Sequence, residues 1–244
     1  MSRSVEPVIK QLVVNAPQAH AFRTFTAGMD RWWPRQHHIG ASPMKQIQVE
    51  PRVGGRWFSV CEDGTECEIG KVLRWDPPVR LILAWQINGD WKYDPALVTE
   101  VEVSFTALGP RRTRVDFQHR DLERFGEAAA ALRGQLDDPE GWLVSLERFA
   151  ATAAQKAVVF YESAPDVLTT APLHFPAHKA RLDVFAARGD LLAVGLLGDP
   201  REGSMAVFRS RDAAEEFVSD DPFVKNGVVT RVTIKDWNET MLDV

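Results

Sequence analysis

Residues 141–162 read GWLVSLERFAATAAQKAVVFYE. Trp142, Leu143, Leu146, Phe149, Ala150 and Ala153 recur at helical spacing and form one apolar stripe along a helix of about four turns. From Ala157 to Glu162 the pattern becomes that of a strand. A helix that closes one folding unit thus runs almost directly into the strand that opens another. No Gly/Ser-rich linker lies between them, and the boundary falls near 153–157. This divides the chain into residues 1–154 and 155–244.

Upstream of that helix the chain is rich in strand signals. Val8–Val14 is a strand, and Pro17 starts a short amphipathic helix bearing Ala19, Phe22 and Phe25. Ile47–Glu50, Arg56–Cys61, Glu66–Trp75, Leu81–Ile87, Leu97–Thr106 and Thr113–His119 follow as strands. Gly54-Gly55, Asp63-Gly64, Asp76-Pro77-Pro78, Asn88-Gly89 and Gly109-Pro110 separate them. Asn88-Gly89 is the pair favoured in a two-residue hairpin turn, where both positions need positive φ. The expectation is a curved antiparallel sheet with a long terminal helix, an α+β layer architecture.

Downstream, Ala157–Glu162 is a strand and Leu173–Arg188 a helix, with Pro176 tolerable only in its first turn and Gly189 as its C-cap. Leu191–Leu197 and Ser204–Phe208 are strands. Ser210–Ser219 is a helix with Ser210 as N-cap, and Val228–Trp237 is the last strand. The order β-α-β-β-α-β predicts a ferredoxin-like sheet.

Composition narrows the function. The chain has 244 residues, 45% apolar and 26% charged, as in ordinary globular proteins. Its net charge of −5 gives no bulk basic field, so no nucleic-acid partner is expected. The longest apolar stretch, about Leu191–Leu197, is far short of the ~20 residues a spanning helix needs, so no membrane partner is expected. No signal peptide is visible, and two cysteines make no disulfide framework, so a cytoplasmic location is expected. No Gly-x-Gly-x-x-Gly after a strand, Walker loop, His-Glu-x-x-His or Gly-x-Ser-x-Gly occurs. Neither a cofactor nor a metal is expected.

Seven of the eight tryptophans precede residue 150. In this first part, Ala21-Phe22, Trp32-Trp33, Pro51-Arg52-Val53-Gly54-Gly55-Arg56-Trp57, Gly70-Lys71-Val72, Asp76-Pro77-Pro78, Trp85, Thr113 with Val115, and Gly141-Trp142 stand in a familiar order. The segment resembles the SRPBCC (START-like, helix-grip) proteins, in particular bacterial homologues of the heat-shock ATPase activator (AHSA-like). The second part carries His178, the Gly189–Gly195 passage, Ser210 with Ala213-Ala214, and Asp221-Pro222-Phe223 before a strand ending at Trp237. It resembles the YCII-related family, ferredoxin-like domains that usually dimerise into an α+β barrel. That resemblance implies a homodimer through the second domain and a His178–Asp221 active-site pair. This chain departs from the family in the residues flanking His178, which read His174-Phe-Pro-Ala-His178-Lys179.

The helix-grip resemblance implies an apolar cavity between sheet and terminal helix. The expected lining is Trp32, Trp33, Trp57, Trp85, Phe105, Trp142 and Leu146, and the alternative is that these side chains simply fill a core. Among polar residues, Glu66 and Glu68 share one face of a strand, either as buried acid–base groups or as a solvated face paired with Arg or Lys. His37-His38 cover a pocket mouth or are plain surface residues, and Arg56 and His119 are further candidates. Cys61 and Cys67 flank a turn at a spacing unsuited to zinc. His174 and His178 are four apart on a helix, with Pro176 between them and no obvious third metal ligand. In His178 and Asp221, a carboxylate would orient an imidazole as a general base.

Three functions follow. The first is binding of a small apolar or aromatic molecule. The second is an enzyme using His178 and Asp221 for proton transfer, isomerisation or elimination on a small carbonyl or hydroxyaromatic compound. The third is contact with a chaperone.

Overall fold

The computed structural model describes residues 5–237. The chain forms two compact units, one ending at Ala153 and the other starting at Ala154.

In the first unit, β1 (Val8–Val14) is followed by α1 (Gln18–Phe25) and a single turn, α2 (Met29–Trp32). Then come β2 (Met44–Val49), β3 (Arg56–Cys61), β4 (Glu66–Asp76), β5 (Arg80–Trp85), β6 (Thr99–Gly109) and β7 (Arg112–Arg120). α3 (Ala129–Asp137) and α4 (Val144–Ala154) close the unit. The seven strands make one curled antiparallel sheet in the order β1-β7-β6-β5-β4-β3-β2. Alternation sets its two faces. Val101, Val103 and Phe105 of β6 and Val115 and Phe117 of β7 are buried in one core with Leu146, Phe149 and Ala153 of α4. The intervening residues face outward and pair in ions. Arg120 meets Glu100 at 2.6 Å and Glu102 at 2.7 Å. Arg56 likewise joins Glu66 at 2.6 Å and Glu68 at 2.5 Å, so these two carboxylates lie on the outer face. Such half-exposed pairs contribute little to stability individually.

Two local expectations need correction. Asn88-Gly89 does not make a two-residue turn. The Asn88 side-chain oxygen accepts from the N–H groups of Asp90 and Lys92, both at 3.0 Å, and widens the turn. The left-handed residue there is Trp91, at φ 58°. The terminal helix is also shorter than expected, because Pro139–Leu143 forms a wide π-type turn before α4. Gly141 explains that turn. A Cβ at this position would stand 2.6 Å from both the Gln135 and Leu136 carbonyl oxygens, so only glycine lets the turn press against the end of α3.

The second unit runs β8 (Lys156–Ser163), α5 (Val167–Ala187), β9 (Leu191–Leu196), β10 (Ser204–Phe208), α6 (Arg211–Ser219), α7 (Pro222–Lys225) and β11 (Val229–Trp237). The sheet order is β11-β8-β10-β9, all antiparallel, which is the ferredoxin-like arrangement. Ser210 caps α6 by accepting from the Ala213 N–H at 3.2 Å, and Gly189 takes φ 71° after α5. α5 begins at Val167 rather than at the expected Leu173 and runs through Pro172 and Pro176. Both prolines are exposed and four residues apart. The carbonyls that lose their N–H partners therefore sit on the wet side of the helix, where water accepts that loss. Val159, Tyr161, Phe185, Phe208 and Phe217 form a separate core.

Candidate functional site

The first unit contains a cavity of about 630 Å³ that opens to solvent on one side. Trp33, Trp85 and Trp142 form much of its wall, with Ile69 and Ile87 from the strand region and Leu136 from α3. Each of these indoles already spends its N–H on the protein. Trp33 donates to the His37 carbonyl at 2.8 Å, Trp85 to the Ile87 carbonyl at 3.1 Å, and Trp142 to His119 Nδ1 at 3.1 Å. What remains for a guest is aromatic carbon surface. The ring centroids of Trp85 and Trp142 are 5.5 Å apart, and those of Trp33 and Trp142 5.9 Å.

Four of the seven expected lining residues lie elsewhere. Trp32, Trp57, Phe105 and Leu146 are each at most 2% exposed and do not reach the cavity. Trp32 packs on Phe25 and Phe149 and donates to the Thr24 carbonyl at 2.8 Å. Phe105 packs edge-on against Phe22 and Phe25. Trp57 backs Trp33 and Trp85 from behind the wall. Sequence reasoning identifies inward-facing aromatics, but the depth at which packing stops depends on where α3 and the π-type turn stand off from the sheet.

Further residues complete the lining. Trp91 is presented by the widened turn after Asn88. His37 and His38, either pocket-mouth or surface residues on sequence grounds, both line the cavity, as do Ser59 and Ser145. Burial pushes the His37 imidazole below its ordinary value, opposed by the nearby Glu140 carboxylate. Asp138 and Glu140 are the acidic residues on the lining, and no Lys or Arg belongs to it among the described residues. His119 is not a wall residue. It lies fully buried behind Trp142 and bonds Thr99 Oγ1 at 2.8 Å through Nε2. Because Trp142 donates to Nδ1, the proton of His119 sits on Nε2. Burial lowers its pKa to about 3, so it is a neutral bracket for the wall.

The second unit brings His178 and Asp221 together. His178 Nδ1 lies 2.6 Å from Asp221 Oδ1. Asp221 is fully buried, and its other oxygen accepts from the Tyr161 hydroxyl at 2.5 Å. Asp221 also caps α7 by accepting from the Phe223 N–H at 3.1 Å. Phe223 stacks on the His178 ring at 3.9 Å between centroids, 4° from parallel. Tyr161 was not singled out from the sequence, although its inward position on β8 follows from alternation. Burial and the Asp221 carboxylate hold its hydroxyl well above the usual tyrosine range, so it remains a donor. The space beside this trio is only about 20 Å³, room for roughly one water.

Other candidates do not converge. No cluster of three or more His, Cys, Asp or Glu suited to a metal is found among the described residues. Cys61 and Cys67 are free thiols, and burial raises the Cys67 pKa. No helix is long and apolar enough to cross a membrane among the described residues.

The curled sheet with its closing helix and interior cavity defines a helix-grip protein, here followed by a ferredoxin-like domain. The family model described as "Activator of Hsp90 ATPase homolog 1-like protein" matches residues 15–154, and the chain belongs to that family. The YCII-related domain model matches residues 156–238. Among solved structures, the chain is similar to an anthrahydroquino-γ-pyrone synthase, Txn09 (38% identity, 62% of this chain and 98% of that one, TM-score 0.45). It is also similar to the self-sacrificing resistance protein CalC from Micromonospora echinospora (30%, 60% and 93%, TM-score 0.45). A shorter likeness is to the 5-chloro-2-hydroxyhydroquinone dehydrochlorinase of Burkholderia phenoliruptrix AC1100 (22%, 35% and 95%, TM-score 0.31). No curated protein matches.

Proposed function

We propose that the first unit binds a small, neutral, flat aromatic molecule in its cavity. The observation that carries this reading is the wall itself. Three indoles with occupied N–H groups surround a space of about 630 Å³, within the ~300–1,000 Å³ typical of small-molecule sites. Aromatic faces favour a stacked or edge-on ring. Asp138 and Glu140, with no Lys or Arg among the described lining residues, disfavour an anionic guest.

The test uses N-phenyl-1-naphthylamine, whose fluorescence rises in apolar surroundings. It is expected to bind with Kd of about 10 μM or tighter. Gly134→Phe is the matched control. Gly134 lies in α3 on the cavity lining, and a Cβ built there meets nothing within 4 Å. The added ring enters the space, so the reporter is expected to lose at least about a hundredfold in affinity. Stability should hold or rise by a few tenths of a kcal/mol, since glycine is a poor helix former. Equal binding by this variant would sink the reading.

The second unit supports a second reading, proton transfer by His178 oriented by Asp221. The 2.6 Å contact favours it, and the small adjoining space ranks it below binding. With this reading goes a homodimer. Met205 lies opposite Phe160 and Val207 opposite Val158, on the sheet face away from the helices. That apolar face suits a second copy of the unit. Sedimentation velocity is expected to give twice the chain mass, shifting to one mass with Phe160→Lys. A monomer at all concentrations would remove the dimer.

A further inference from the structure

Two residues of the cavity lining each carry a buried polar atom that the fold leaves unanswered. Ser59 stands on the concave side of β3 and is 1% exposed, and its Oγ has no hydrogen-bond partner among the described residues. His38 lies in the segment before β2, and its Nδ1 is likewise buried without a partner. Both residues line the cavity. A buried hydroxyl left unpaired is costly, so each such group calls for an explanation.

We propose that the guest is a hydroxylated aromatic ring system, a phenol in the broad sense, whose hydroxyl lies between Ser59 and His38. This rests on the binding reading above and names its ligand class. A serine hydroxyl donates and accepts, and a neutral imidazole nitrogen does one or the other according to its tautomer. A phenol hydroxyl also donates and accepts, so it answers both side chains at once. A ketone oxygen can only accept. A carboxylate or phosphate would face Asp138 and Glu140. The carbon skeleton of the guest lies against Trp33, Trp85 and Trp142.

The experiment displaces N-phenyl-1-naphthylamine with 9-phenanthrol and, separately, with phenanthrene. The two competitors differ by one oxygen. In the native protein 9-phenanthrol is expected to bind about tenfold more tightly. Ser59→Ala and His38→Phe should each shrink that ratio at least about threefold, and the double variant should bring it close to one. Phenanthrene affinity should stay the same in Ser59→Ala, which also shows that the wall is intact. Ser59→Ala removes a hydroxyl with no partner, so its urea midpoint should not fall. Equal affinities in the native protein, or a preference that survives in the double variant, would overturn the assignment. Failure of the reporter itself to bind would instead overturn the binding reading.

Discussion

Replacing Asp221 by Ala is expected to destabilise the second unit by about 3–5 kcal/mol. The fully buried carboxylate accepts from the His178 ring at 2.6 Å, the Tyr161 hydroxyl at 2.5 Å and the Phe223 backbone at 3.1 Å. Alanine leaves an imidazole and a phenol inside the fold without their acceptor and uncaps α7. Asp221→Asn keeps an oxygen for His178 and Phe223 and turns an amide toward Tyr161, whose hydroxyl can rotate to accept. It should cost about 1–2 kcal/mol. Hydrogen exchange read on peptides from 156–237 separates this unit from the tryptophan-rich one, where a single melting curve would mix the two. A loss below about 1 kcal/mol for Asp221→Ala would mean that the trio is not closed in solution. If the unit turns over a small carbonyl or hydroxyaromatic compound, Asp221→Asn should also lower kcat by about 10²–10⁴-fold.

The second large effect concerns acid. His119 is buried neutral, with its pKa lowered by burial to about 3 from an ordinary 6.5. The unfolded chain therefore binds a proton below about pH 6.5 that the folded first unit refuses until near pH 3. The associated stability is complete above pH 6.5 and drains away as pH falls toward 3. Its slope is about 1.4 kcal/mol per pH unit, up to ~5 kcal/mol in all. Glutamine can still accept from Trp142 and donate toward Thr99 but does not titrate. Urea midpoints of native protein and His119→Gln, followed by tryptophan fluorescence, should run parallel above pH 7. They should converge or cross as pH drops to 4, the native protein losing several kcal/mol more. Parallel curves throughout would place the imidazole in contact with water.

Much of this architecture is legible in the residues. The apolar stripe from Trp142 to Ala153, the strand at Ala157 and the turn signals before Arg112 each act locally, through side-chain periodicity and backbone preference. Ser210 and Gly189 do the same at helix ends. What escaped reading depends on distant partners. Asn88-Gly89 matches a hairpin turn, but the Asn88 side chain bonds two downstream N–H groups and builds a wider one. Pro172 and Pro176 look like helix breakers until their solvent-facing position is known. Of the inward aromatics, Trp33 reaches the cavity and Trp32 beside it does not, because adjacent residues at the end of α2 point to different depths. His37 and His38 lie in a loop without periodicity, so the sequence leaves pocket mouth and surface both open for them. The pairing of His178 with Asp221 was implied by family resemblance, and the Tyr161 contact emerges only from the register of β8 against its neighbours.

The occupied indole N–H groups have a thermodynamic corollary. Side chains already pinned at their polar ends lose little rotational freedom when a guest arrives. Association should therefore release heat near 25 °C, with a small entropy change and a clearly negative heat-capacity change, the pattern of a preformed pocket with apolar walls. A guest matched to the shape of such a wall should also dissociate slowly, since nothing in the wall needs to rearrange for contact to be complete.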